Sequence, residues 1–293
     1  MSEVKDCGKV GKTCGTCGET SEDPGTTLAQ PHRLSRVKHV LAVMSGKGGV
    51  GKSSVTALLA VALSRRGHRV GILDADITGP SIPKLLGLNA RIEDGDFGAY
   101  VPKSRLLGIY AMSANLLLPR EDEPVIWRGP IISNVVKQFW SDVAWGKLDY
   151  LIVDLPPGTG DVPLTVMQSL PLEGVFIVSS PQDLAVMVVR KAIRMTGIMN
   201  IPIFGVIENM THVTCPKCGE KIFPFGEPQG DKVAEETGVE LLASLPLDPE
   251  LSRLADAGRI EEYQSTGLEH LPDILEKRFA ASSKTARMLF KKG

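Results

Sequence analysis

Residues 46–53 read Gly-Lys-Gly-Gly-Val-Gly-Lys-Ser and directly follow the apolar run Val40–Met44. The spacing is that of a phosphate-binding loop, G-x-x-x-x-G-K-[ST]. Gly46, Gly48, Gly49 and Gly51, with Lys47 and Val50 among them, let consecutive backbone N–H groups turn toward one anion. Lys52 adds a point charge for the β- and γ-phosphates, and the Ser53 hydroxyl suits magnesium. The pattern predicts that the chain binds ATP with magnesium.

Acidic residues close two other apolar runs. Asp74 and Asp76 stand in Leu-Asp-Ala-Asp-Ile-Thr-Gly-Pro-Ser, and Asp154 stands in Leu-Ile-Val-Asp-Leu-Pro-Pro-Gly-Thr-Gly-Asp. A carboxylate at a strand end before a Gly-rich turn can sit near the magnesium shell while the turn senses the γ-phosphate. Asp154 is expected at the metal shell and Asp76 beside the attacking water. Asp74 is expected to act behind them, and Asp161 to cap the next helix. Asn209 closes Phe-Gly-Val-Ile-Glu-Asn, and its amide could meet the edge of adenine.

The second lysine of the loop, Lys47, marks the deviant P-loop subclass, whose lysine reaches the nucleotide of a partner subunit. It therefore points to a homodimer. The five cysteines avoid apolar patterns: Cys7, Cys14 and Cys17 lie near the start, and Cys215-Pro-Lys-Cys218 lies in a loop at 210–225. Two thiolates at this spacing can hold one face of a metal centre, but a closed site needs four ligands. A second chain, or Cys14 and Cys17, would supply the other pair. On this chemistry alone zinc and an iron–sulfur cluster fit equally.

Residues 1–36, rich in Gly, Thr, Ser and Asp, read as a flexible tail carrying a Cys-x-x-Cys element. Residues 37–293 read as one ATPase domain. Short β-branched runs at 40–44, 69–73, 150–153, 175–179, 203–207 and 241–245 alternate with helix-compatible segments. Such runs are strands buried on both faces, which predicts an α/β fold with a doubly wound, mostly parallel sheet. In that fold ligands bind beyond the carboxyl ends of the strands, where the loop and the carboxylates above fall. Residues 91–118 suggest a hairpin excursion. Leu271, Ile274, Leu275 and Phe279 recur at helical spacing and should pack a terminal helix on the domain.

The chain has 293 residues, and its 33 basic against 34 acidic side chains give no global reason to expect nucleic-acid binding. No stretch approaches a membrane span and the start lacks an apolar signal region, so a cytoplasmic location is expected.

The segments Ser-Gly-Lys-Gly-Gly-Val-Gly-Lys-Ser (45–53), Asp-Ala-Asp-Ile-Thr-Gly-Pro-Ser-Ile-Pro (74–83), Trp-Arg-Gly-Pro (127–130), Asp-Leu-Pro-Pro-Gly-Thr-Gly-Asp (154–161) and Glu-Asn-Met before Cys-Pro-Lys-Cys-Gly (208–219) together resemble the Mrp/ApbC nucleotide-binding proteins. The resemblance covers roughly residues 37–270. It implies a slow ATPase of the deviant P-loop, MinD/ParA-like superfamily. It also implies a homodimer with a labile [4Fe–4S] cluster bridged by Cys215 and Cys218 of both chains, passed to apo iron–sulfur proteins. The tail departs from relatives that carry four N-terminal cysteines and a second cluster, because Cys7, Cys14 and Cys17 are three. Whether they hold a second centre is left open. A rival reading is a MinD/ParA-type positioning or regulatory ATPase with a structural zinc, which would need a membrane helix or a basic DNA face.

Overall fold

The computed structural model describes residues 28–77, 79–89, 101–117, 129–182, 185–264 and 267–289. Cys7, Cys14, Cys17, Trp127 and Arg128 lie outside them.

The apolar runs form the strands. β1 (Arg36–Ser45) leads through the P-loop into α1 (Lys52–Arg65), followed by β2 (Val70–Asp74), the short α2 (Ile82–Leu85) and β3 (Tyr110–Met112). Then come α3 (Gly129–Ser141), β4 (Lys147–Asp154), α4 (Asp161–Ser169), β5 (Gly174–Ser179), α5 (Ala185–Ile198) and β6 (Ile203–Glu208). A small antiparallel hairpin, β7 (Val213–Thr214) and β8 (Lys221–Ile222), precedes α6 (Gly230–Thr237), β9 (Leu241–Ser244), α7 (Pro249–Asp256) and α8 (Leu271–Leu289). Seven strands make one sheet in the order β3-β2-β4-β1-β5-β6-β9. All its strand pairs are parallel. The doubly wound reading from the sequence is the fold found.

Alternation along the strands divides the core into two layers. Leu41, Val43, Ile72, Ile152, Phe176 and Val178 face α1, α7 and α8. Their neighbours Ala42, Met44, Leu73, Val153 and Ile177 face α3, α4 and α5. Both faces are covered, so β2 and β5 are buried along their whole length, which is why their sequences run apolar without a polar beat. In α8, Leu271 and Leu275 are buried, with Ile274 and Phe279 packed beside them, as the helical spacing predicts.

Two expectations about the chain path change in detail. Residues 101–112 do turn back on themselves: the Ser104 N–H donates to Ile109 O and Ala111 N–H to Pro102 O, but the excursion ends in β3, an edge strand of the main sheet. Residues 28–36, grouped by composition with the tail, make specific contacts with the domain. Ala29 N–H donates to Ser169 O at 2.8 Å, and Trp140 Nε1–H donates to Ala29 O at 2.7 Å. The buried Ser35 hydroxyl bonds Val143 O at 3.2 Å and accepts from Trp145 N at 3.0 Å. Composition missed these contacts because the partners lie 108 to 111 positions away for the bonds of Ser35 and Trp140, beyond any local pattern.

Candidate nucleotide and metal sites

The P-loop joins β1, the central strand, to α1 at the point where the chain's later strands pass to the other side of the sheet. Gly49 and Gly51 adopt left-handed backbone, φ 79° and 77°, which glycine reaches without strain. Gly51 caps α1, and the first turn of that helix carries no acidic residue, so its N–H groups and dipole remain available to an anion. A cavity of about 250 Å³ opens there between Gly48, Gly49, Lys52, Ser53, Asp76 and Pro157.

Register brings the carboxylates together. Asp74 pairs with Asp154 across β2 and β4, and Val43 of β1 pairs with Asp154 on its other side. Lys52, only 6% exposed, reaches the fully buried Asp154 with Nζ 2.9 Å from Oδ1, and lies 3.7 Å from Asp76 Oδ2. The Ser53 hydroxyl donates to Asp154 Oδ2 at 2.6 Å. Thr56, three residues on along the same helical face, donates to Asp154 Oδ1 at 2.8 Å. Lys52, Ser53, Asp76 and Asp154 therefore form one cluster beside the cavity, as their sequence positions predict. Thr56 was missed, although its spacing from Ser53 was a usable signal.

Asp74 lies behind this cluster. Its carboxyl accepts from Asp76 N–H at 3.1 Å and from the Ser113 hydroxyl at 3.0 Å, tying the turn after β2 to the end of β3. Burial, then the charge of Asp154, pushes its pKa up to about 8, while Lys52 pulls it down. The turn after β4 is tied to the P-loop strand by Gly158 N–H donating to Ser45 O at 2.8 Å. Asp161 is the first residue of α4 rather than its cap, because Gly160 takes the extended cap position.

Lys47 points along its own chain, where its Nζ donates to the Gln182 side chain. Asn209, buried at 5% exposure, spends its amide Nδ2–H on Val50 O at 3.0 Å. A Cβ on Gly51 would lie 2.3 Å from that nitrogen, so Asn209 also braces the back of the P-loop. The sequence reading gave this amide to adenine. In the structure one N–H of the amide donates to the loop itself, a contact no local pattern could reveal because the partner is 159 positions away.

The cysteine knuckle sits beyond β6 on the β7–β8 hairpin. Cys215 N–H donates to Glu220 O and Gly219 N–H to Cys215 O at 2.9 Å, with Gly219 at φ 75° completing the tight turn. The N–H groups of Cys218 and Lys217 point at the Cys215 thiol and hold its pKa below the usual thiol range. Both thiols are free, Cys218 exposed and Cys215 half-buried. Among the described residues no three His, Cys, Asp or Glu gather into a ready metal site, so the knuckle offers two ligands from one chain.

A family model described as the NUBPL iron-transfer P-loop NTPase matches residues 36–277. The chain belongs to this family. An iron–sulfur cluster carrier protein of Methanocaldococcus jannaschii is 47% identical over 262 residues, 87% of this chain and 90% of that protein. One of Clostridium perfringens is 43% identical over 254 residues, covering 83% and 89%. Among solved structures, this iron-transfer NTPase is similar to a nucleotide-binding protein from Archaeoglobus fulgidus in complex with ADP. The TM-score is 0.72 at 45% identity, over 81% of this chain and 93% of that one. It also matches the MinD cell division protein of Aquifex aeolicus at TM-score 0.59 and 20% identity, over 82% and 97%, a likeness of fold alone. No helix among the described residues is long and apolar enough to cross a membrane.

Proposed function

We propose that this iron-transfer NTPase is an ATP-driven carrier whose cargo is a [4Fe–4S] cluster, held between the Cys215–Cys218 knuckles of two copies and released to apo iron–sulfur proteins. The observation that carries the reading is the pair of free thiols, one exposed and one half-buried, on a hairpin in a P-loop NTPase of this family. The similarity to iron–sulfur cluster carrier proteins of Methanocaldococcus jannaschii and Clostridium perfringens supports the cargo. Two thiolates are half of a four-ligand set, and a two-fold dimer supplies the other half.

In this reading the glycine-rich loop cradles the phosphates and Lys52 leaves Asp154 for the β/γ oxygens, while Ser53 and Asp154 would hold a magnesium ion that would offset the phosphate charge. Asp76 orients the attacking water, and Lys47 leaves Gln182 to reach the nucleotide of the partner subunit. Hydrolysis is slow, because a carrier needs two states that differ at the dimer interface rather than fast turnover.

The test is iron, acid-labile sulfide and zinc per chain in anaerobically purified protein, measured alongside mass in solution. A bridged cluster gives about two iron atoms per chain in a dimer, and bridged zinc about half a zinc atom per chain. Cys215→Ala and Cys218→Ala should abolish the centre and weaken dimerisation while ATP binding survives. A monomer holding one full centre would overturn the bridged arrangement.

A further inference from the structure

The loop that carries the cysteines leaves and re-enters the domain at one dipeptide. At its entry, Asn209 N–H donates to Ser179 O and its side chain to Val50 O of the P-loop. Met210 follows in left-handed backbone, φ 60°, and its Cε lies 3.3 Å from where a Cβ on Gly51 would stand. Thr211 then fixes the chain to Leu245 O through both its N–H and its hydroxyl, each at 2.9 Å.

The exit is held by the residue before Asn209. Glu208 is 1% exposed, and its Oε1 accepts from Gln229 N–H at 2.7 Å, with Gly230 N–H directed at the same carboxylate. Gly230 begins α6, so a buried carboxyl sits at that helix start, where burial raises its pKa and the Gln229 and Gly230 N–H groups pull it back. Its other oxygen, Oε2, is buried without a hydrogen-bond partner. A carboxylate kept in so poor a setting for stability needs another reason to be there. A Cβ on Gly230 would come 2.9 Å from Oε2, so the helix start is pressed against the carboxylate. Further out, a Cβ on Gly226 would lie 3.7 Å from Pro181 O, next to Gln182, the partner of Lys47.

We infer that Glu208 is a positioning residue that couples nucleotide at the P-loop to the cysteine knuckle. Asn209 takes up any shift of the Val50–Gly51 peptide as phosphate binds, and Glu208, on the same backbone, passes it to the far end of the loop at Gln229 and Gly230. Both ends of the loop then move as one unit, which a loop fixed only at its entry would not do. The inference rests on the carrier reading for its purpose, but neither readout below requires a metal, so the two can fail separately.

The experiment uses the full-length metal-free protein with ADP as the probe. Iodoacetamide alkylation of Cys215 and Cys218 is followed by mass spectrometry, and amide hydrogen exchange is read over residues 208–230. In the wild type, saturating ADP should change the alkylation rate by about fivefold or more, the low end of ordinary coupling, and slow exchange at residues 229–230. Glu208→Ala should bind ADP as the wild type does yet respond by less than about twofold, and Glu208→Gln, which still accepts at one oxygen, should restore the response. If Glu208→Ala does not fold, Gly230→Ala, whose Cβ would press on Leu241 as well as on the carboxylate, disturbs the same contact from the helix side and should uncouple in the same way. A wild type whose thiols and amides ignore ADP, or a folded Glu208→Ala or Gly230→Ala that keeps the full response, would overturn the inference.

Discussion

Replacing Lys52 by Met removes a cation that lies among three buried carboxylates, and the geometry sets the size of the effect. The Lys52 ammonium lies 2.9 Å from Asp154 and 3.7 Å from Asp76. At an effective dielectric constant of about 20, these are attractions of about 6 and about 4–5 kcal/mol. Much of that offsets the cost of burying the charges, so the net loss on breaking the pair from one side is about 3–5 kcal/mol. Asp154 keeps the Ser53 and Thr56 hydroxyls, which favours the lower end. In nucleotide-free protein, urea unfolding should show this loss, and for a chain of this size Tm should fall by roughly 6–20 °C. The cause is separated from simple loss of packing by a double-mutant cycle. Asp154→Asn in the Lys52→Met background removes the charge that was left unpaired, and should return at least about half of the lost stability. A loss under about 1 kcal/mol for Lys52→Met, or a double variant no more stable than the single one, would refute the electrostatic account. Hydrolysis should be abolished in both variants whatever their stability.

Asp74 predicts a pH dependence. Its pKa is about 8 in the folded protein against 3.8 as a free side chain, so the fold favours the protonated form. Its contribution is therefore fully present below about pH 4 and is lost as pH rises toward 8, at up to about 1.4 kcal/mol per pH unit. Asp74→Asn cannot ionise, so its stability relative to the wild type should climb between pH 5 and 8, and a flat difference in Tm across that range would contradict the assignment. Truncation tests the domain boundary: removing residues 1–27 should leave Tm nearly unchanged, whereas removing 1–36 should lower it by several degrees, because Ala29 and Ser35 bond Ser169, Trp140, Val143 and Trp145. Equal melting of the two truncations would show that these contacts add nothing.

Much of the molecule is legible in the linear order because its signals are local. A strand buried on both faces is an unbroken apolar run, a P-loop is eight consecutive residues, and a carboxylate that closes a strand lies at the end of a parallel sheet where ligands collect. From these, the succession of strands and helices along the chain and the grouping of Lys52, Ser53 and Asp154 beside the P-loop could be expected. What only the tertiary structure decided are pairings between distant residues whose types have several possible partners. Asn209 was expected to meet adenine, and the placement of β6 beside β5 adds a bond from its amide to Val50 that no local pattern announces. Asp74 and Asp154 became neighbours through the insertion of β4 between β2 and β1, which raised one carboxyl's pKa by burial and charge. Glu208, quoted only as part of a motif, was given no role of its own, since its hydrogen-bond partner Gln229 lies 21 residues away. A backbone N–H has no side chain to announce it, so the sequence names the groups that can do chemistry while the fold decides which of them meet.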